Sequence, residues 1–174
     1  MASFSLTRLE ALRDALKARG QRQSIIMGGS VELIEAMEFL GEWGAFVEAM
    51  YIMMAVDRKV MNVERQVLRG ALAILSDEKL RTRHMEAMLD AASRSVAAEG
   101  VERRLEKALR SLRQHPTKAE SAVLVAAAIA TADDRLVPEE LDLLKRMIRD
   151  LAIDETRAKE ILAEVEPFLV KTTT

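Results

Sequence analysis

Two stretches of the chain carry carboxylates at a spacing that suits chemistry. Asp57 is followed seven residues on by Glu64, and Asp133 by Glu140, with Asp134 and Glu139 adding two carboxyls to the second stretch. Oxygens of this kind, with loop carbonyls and water, hold hard divalent cations such as Ca, Mg or Mn. The second stretch is the better candidate, because Arg58, Lys59 and Arg65 dilute the first. It is not an EF-hand: the twelfth position from Asp133 is Leu144 and the central glycine is missing. A plainer account stands beside the cation. Each aspartate accepts N–H groups of its own loop, Arg58, Lys59 and Arg135 supply counter-charge, and each glutamate completes a helix cap. The sequence leaves both open.

Little else points to catalysis. Without cysteine there is no disulfide, thiolate nucleophile or iron–sulfur ligand, a composition that fits the cytoplasm. His84 and His115 stand in unrelated contexts; the first reads as an exposed residue on a charged helix face, the second as a helix-end residue before Pro116. No Ser/His/Asp arrangement or Gly-rich phosphate loop is present. A metal-assisted carboxylate enzyme would need a cleft uniting Asp57, Glu64, Asp133 and Glu140. The expectation is a protein that is not an enzyme.

The elements that must position these acids are helical. Of 174 residues, 49% are hydrophobic but only 3% aromatic, with ten Met and few Gly or Pro, so an alanine-, leucine- and methionine-built core is expected, with all-α architecture. Leu6, Leu9, Leu12 and Leu16 mark a first, net-basic helix behind a capping box at Thr7 and Glu10, ending at Gly20. Ser24 to Gly29 reads as a connector. A helix capped by Ser30 should stop or bend near Gly41 and Gly44, and Trp43 to Met54 forms the next apolar face. Asn62 reads as an N-cap, Ser76-Asp77-Glu78 as another helix start, and Gly100 as a stop. Thr117 and Glu120 read as a second capping box opening the most apolar helix, Ala119 to Ala132. Pro138 suits the first position of the next helix, Asp154 caps the last, and Lys171 to Thr174 should fray. About seven or eight helices in a single domain follow.

The second half repeats the first at an offset of 76 residues, the distance from Asp57 to Asp133. Val60 then falls on Leu136, Glu64 on Glu140, Leu68 on Leu144, Leu75 on Leu151 and Val47 on Val123. A gap-free match of charge and apolarity implies duplicated helix–loop–helix units packed about a pseudo-two-fold, since one unit alone has too small a core.

Apolar helix, Asp, short turn, then an acid-rich helix start resembles the TerB-like (tellurite-resistance) family. Its loop has counterparts in Val56-Asp57-Arg58-Lys59-Val60…Glu64 and Ala132-Asp133-Asp134-Arg135-Leu136…Glu139-Glu140. Arg58 and Asp134 stand where that family usually has glycine. The resemblance implies residues 43–170 as a duplicated helical domain, preceded by a helical extension over 1–42 that packs on the body. It also implies metal-ion binding and protein–protein contacts in stress-response assemblies, often near the inner membrane, and a similar domain precedes some membrane-anchored DnaJ-type co-chaperones.

A protein partner is therefore expected, and a net charge of −2 argues against nucleic acid. The basic first helix is a weak candidate for membrane-surface contact, and no apolar leader is expected between Ser3 and Arg22. Ala122 to Ala132 is too short to cross a bilayer and reads as a buried helix. Met50, Met53, Met54 and Met61 read as core rather than a partner groove, and Arg103, Arg104, Lys107, Arg110 and Arg113 as a solvated stripe. A metal-free adaptor or homodimer using those faces is the alternative function.

Overall fold

A helix that is apolar on every side has to sit in the middle of something, and the most apolar segment does. In the computed structural model, which describes residues 8–21 and 33–170, the chain is all-α, with eight α-helices among the described residues. They are α1 Leu9–Gln21, α2 Leu33–Ala55, α3 Asn62–Leu75, α4 Thr82–Glu99, α5 Val101–Arg113, α6 Pro116–Ala130, α7 Pro138–Asp150 and α8 Glu155–Val165, followed by a short 3₁₀ turn, Glu166–Phe168. Every residue of α6 from Ser121 to Ala130 is buried. Its five alanines in that stretch leave room for neighbours all round, and α1, α2, α3, α5, α7 and α8 all pack on it. Helix α2 is the second central element, burying Trp43, Phe46, Val47, Met50, Met53 and Met54. Three of the four clustered methionines are thus core, while Met61 lies exposed.

Local signals hold where they are strongest. Pro116 and Pro138 occupy first turns, Gly100 takes φ 87° between α4 and α5, and the Asp154 carboxylate accepts the N–H groups of Thr156 and Arg157. Other expectations are corrected. Helix α2 runs unbroken through Gly41 and Gly44, and so across residue 42. Each glycine costs a helix only about 1 kcal/mol, less than the burial of the side chains on either side returns. Asn62 is the first residue of α3, with Met61 at its N-cap. Helix α6 starts at Pro116 with His115 at the N-cap, so Thr117 and Glu120 form no capping box there; Glu120 pairs instead with Arg157 at 2.7 Å. Ser76 to Arg81 is a loop, in which Asp77 and Glu78 take positive φ and the Ser76 hydroxyl accepts the N–H of Leu80. His84 is buried against Phe39, its Nδ1 accepting the N–H of Arg81. Arg104 leaves the solvated stripe and turns inward to clamp buried Glu48 through two bonds of 2.6 and 2.9 Å. The expectations at Thr7, Ser24 to Ser30 and Lys171 to Thr174 lie outside the described residues.

The closest helix pair is α1 on α3. A Cβ on Gly20 would lie 1.7 Å from the Gln66 carbonyl oxygen, and one on Gly70 would lie 2.0 Å from that of Leu16. The backbones therefore touch, and Arg69 donates to the carbonyl of Gly20 at 2.8 Å to close the tail of α1. A methyl group at Gly70 meets backbone that cannot rotate away. Gly70→Ala is expected to lower unfolding stability by about 2 kcal/mol or more, despite Ala being the better helix former. Gly41→Ala, where nothing lies within 4 Å, is expected to raise it by about 0.5–1 kcal/mol. Urea denaturation of both variants checks the pair; equal effects would mean that α1 does not bear on α3.

Candidate functional site

An aspartate at the tail of an apolar helix faces the negative end of the helix dipole, worth roughly 0.3–1 kcal/mol against it. Both acidic loops answer this with their own backbone. In the first, Asp57 Oδ1 accepts the N–H of Lys59 at 2.8 Å, and Glu64 Oε2 accepts the N–H of Met61 at 2.5 Å. In the second, Asp133 Oδ1 accepts from Arg135 at 3.1 Å, and Glu140 Oε2 from Val137 at 2.9 Å. Arg58 and Asp134 take φ of 65° and 64°, the left-handed conformation in which glycine is at ease. The missing glycines therefore do not force a different turn; they impose strain of about 1 kcal/mol on the same one.

The expected counter-charge comes from elsewhere. None of the ion pairs among the described residues uses Arg58, Lys59 or Arg135. Instead Arg13 of α1, itself buried, donates to the Thr131 carbonyl at the end of α6 and pairs with Asp134 Oδ1, both at 2.8 Å. Its guanidinium lies 5.1 Å from the Phe168 ring centroid. Sequence reading passes over Arg13, yet a signal exists: it falls between Leu9 and Leu16 on the buried face of α1. A charge in the middle of an apolar stripe needs a partner, and this one finds the tail of α6.

The five remaining acids of the two loops share one neighbourhood. Glu64 and Glu140 are buried, Asp57 is half-buried, and Asp133 and Glu139 are exposed. Burial raises Glu64 to about 8; the hydrogen bond from Met61 works against this, and Asp57, Glu140 and Asp133 add to it. Glu140 rises to about 7, by burial first, opposed by the bond from Val137 and reinforced by Asp57, Asp133 and Glu139. Each glutamate thus feels the other loop's aspartate, so loops 76 residues apart in sequence meet at an acidic junction. Asp134 is turned away to Arg13, and Glu139 borders an open groove against Val56, Asp57, Arg58 and Lys59. Among the described residues, no three carboxylate or histidine side chains are arranged as a metal's coordination shell. As folded, Asp57, Glu64, Asp133 and Glu140 each spend one oxygen on a backbone N–H.

Fold and site together define an all-α module in which two acidic helix–loop–helix turns meet. The family model for tellurite resistance protein TerB matches residues 45–163, and the chain belongs to that family. Neither a curated protein nor a solved structure gives a match. The matched span starts within α2, so Arg13 and all of α1 come from outside it. No helix among the described residues is long and apolar enough to cross a membrane.

Two outcomes follow from this geometry. Arg13→Ala leaves the Thr131 carbonyl with only the Asp134 N–H and removes the ion-pair partner of Asp134, and should cost about 1–3 kcal/mol in urea unfolding, with Arg13→Lys recovering only part. The glutamates' pKa values lie above their unfolded value of 4.5, so the native state holds the extra protons between about 4.5 and 8, and stability falls as pH rises through that window. A double variant, Glu64→Gln with Glu140→Gln, keeps the capping acceptors and removes the charge. Its stability advantage over wild type should widen from pH of about 5 to about 8.5; a constant difference would refute the raised pKa values.

Proposed function

We propose that the chain is a non-enzymatic stress-response and protein-interaction module whose acidic junction takes up a divalent cation, Ca, Mg or Mn. The observation that carries the reading is the meeting of the two loops, with two glutamates that titrate near neutrality because burial disfavours their charge and the neighbouring carboxylates add to it. Arg13 neutralises Asp134 but not the Asp57, Glu64, Asp133 and Glu140 group. Each of those four carboxylates keeps a second oxygen beyond the one engaged with the backbone. Because they do not stand as a coordination shell, uptake requires the loops to draw together and the glutamates to shed protons. The site therefore belongs to a cation sensor rather than a rigid store.

The metal-free adaptor or homodimer draws less support, since Met50, Met53 and Met54 of its Met-rich face are fully buried, which leaves it only the basic stripe, from which Arg104 turns inward. Isothermal titration of the chelator-stripped protein with Ca, Mg and Mn salts tests the cation reading. Saturable heat, tighter at higher pH, with proton release visible as a dependence on buffer ionisation enthalpy, is expected, and Asp133→Asn or Glu140→Gln should weaken it about tenfold or more. Absence of heat for wild type with all three ions removes the cation from the function.

A further inference from the structure

The two acidic loops share their turn but differ in what covers them. The second is closed by a strand-like segment following α8: Leu136 donates its N–H to the Phe168 carbonyl at 2.8 Å, and its own carbonyl accepts the N–H of Val170 at 2.9 Å. With this parallel bridge in place, Leu136 is 0% exposed. At the matching position of the first loop, Val60 is 40% exposed, and its backbone N–H and carbonyl make no hydrogen bond among the described residues. Met61 beside it is also exposed, and Val56 is half-buried where its counterpart Ala132 is fully buried. An open groove of about 410 Å³ lies beside this loop, with Val56, Asp57, Arg58 and Lys59 on one side and Val137 and Glu139 on the other.

We propose that the first loop is a docking edge for an extended apolar peptide segment of a partner protein, bound through the backbone of Val60 as residues 168–170 are bound through Leu136. Strand addition of this kind takes its affinity from main-chain bonds and its selectivity from the flanking side chains. The covering segment of the second loop shows what fits: an apolar residue at the pairing position, with a carbonyl before it and an N–H after it. Charge sets the neighbouring residue. The second loop presents Asp134 and is met by a base, Arg13; the first presents Arg58 at the same left-handed position, exposed and without an ion pair, followed by Lys59. The matching partner residue is a carboxylate. The edge gives a place to the protein-contact half of the proposed function and does not depend on a cation.

The probe is a blocked peptide with the sequence of residues 164–170, Glu-Val-Glu-Pro-Phe-Leu-Val, added in EDTA to the full ¹⁵N-labelled chain. Saturable amide shifts centred on Lys59, Val60 and Met61 are expected. Arg58→Glu should weaken binding about tenfold or more, and Val60→Pro, which removes the N–H, should abolish it. Since Pro also fixes φ within the turn, the wild-type shift map and Arg58→Glu decide the matter without it. No shifts at up to about 2 mM peptide, or shifts centred on Leu136 through exchange with the resident segment, would overturn the proposal. So would broadening at Val60 that grows with protein concentration alone, which assigns the edge to a second copy.

Discussion

The tail of α6 is where the fold's main electrical difficulty is met. A helix buried on all sides brings its last carbonyls, and the negative end of its dipole, to a place that water reaches poorly. The chain then adds two aspartates just beyond it. Arg13 answers both at once, with a donor to the Thr131 carbonyl and an ion pair to Asp134. To reach there, α1 must lie close, and closeness is set by Gly20 and Gly70, whose missing side chains let α1 and α3 meet backbone to backbone. The position of α1 and the end of α6 are thus one constraint seen from two sides. The covering of Leu136 follows from it, because the 3₁₀ turn that carries Phe168 under the Arg13 guanidinium also lays residues 168–170 along the loop.

Helix type and most helix ends were legible because they depend on neighbours in sequence. Pro138, Asp154 and Gly100 act within one turn, and no tertiary contact has reason to override them. The acidic loops were legible as well, down to the backbone bonds of Asp57 and Glu64, since an aspartate after a helix and a glutamate three residues past an N-cap have few other local uses. What escaped were contacts across the fold. Arg13 looks like surface charge until its register between Leu9 and Leu16 is weighed, and Glu48 likewise until Arg104 is found over it. Ser76-Asp77-Glu78 has the residues of a helix start, but Asp77 and Glu78 take positive φ and α4 waits until Thr82. His84 reads as exposed because its neighbours are charged; Phe39, 45 residues earlier, buries it.

The meeting of the two loops was not read from the sequence, which offered only a repeat, and its electrical effect was not foreseen. Asp57 and Asp133 each act on both glutamates, so neither loop's acids titrate independently of the other's. This makes the junction a joint property of both halves, while the edges beyond it differ: one is covered by the chain's own segment and one is open. The two loops keep the same left-handed turn, and only the second is covered.

Capping alone does not account for acids at Glu64 and Glu140. Glutamine would accept the same N–H bonds from Met61 and Val137 and would carry no charge into a buried place beside two aspartates. The charged residue is therefore the costlier choice for structure. What it adds is the capacity to lose a proton near neutrality and to present a negatively charged oxygen to a cation, whereas an amide offers only a neutral carbonyl. With strain held at Arg58 and Asp134 in the adjoining turns, the junction departs from local economy at four positions. Departures of that kind gather at functional sites, where the surrounding structure holds them in place.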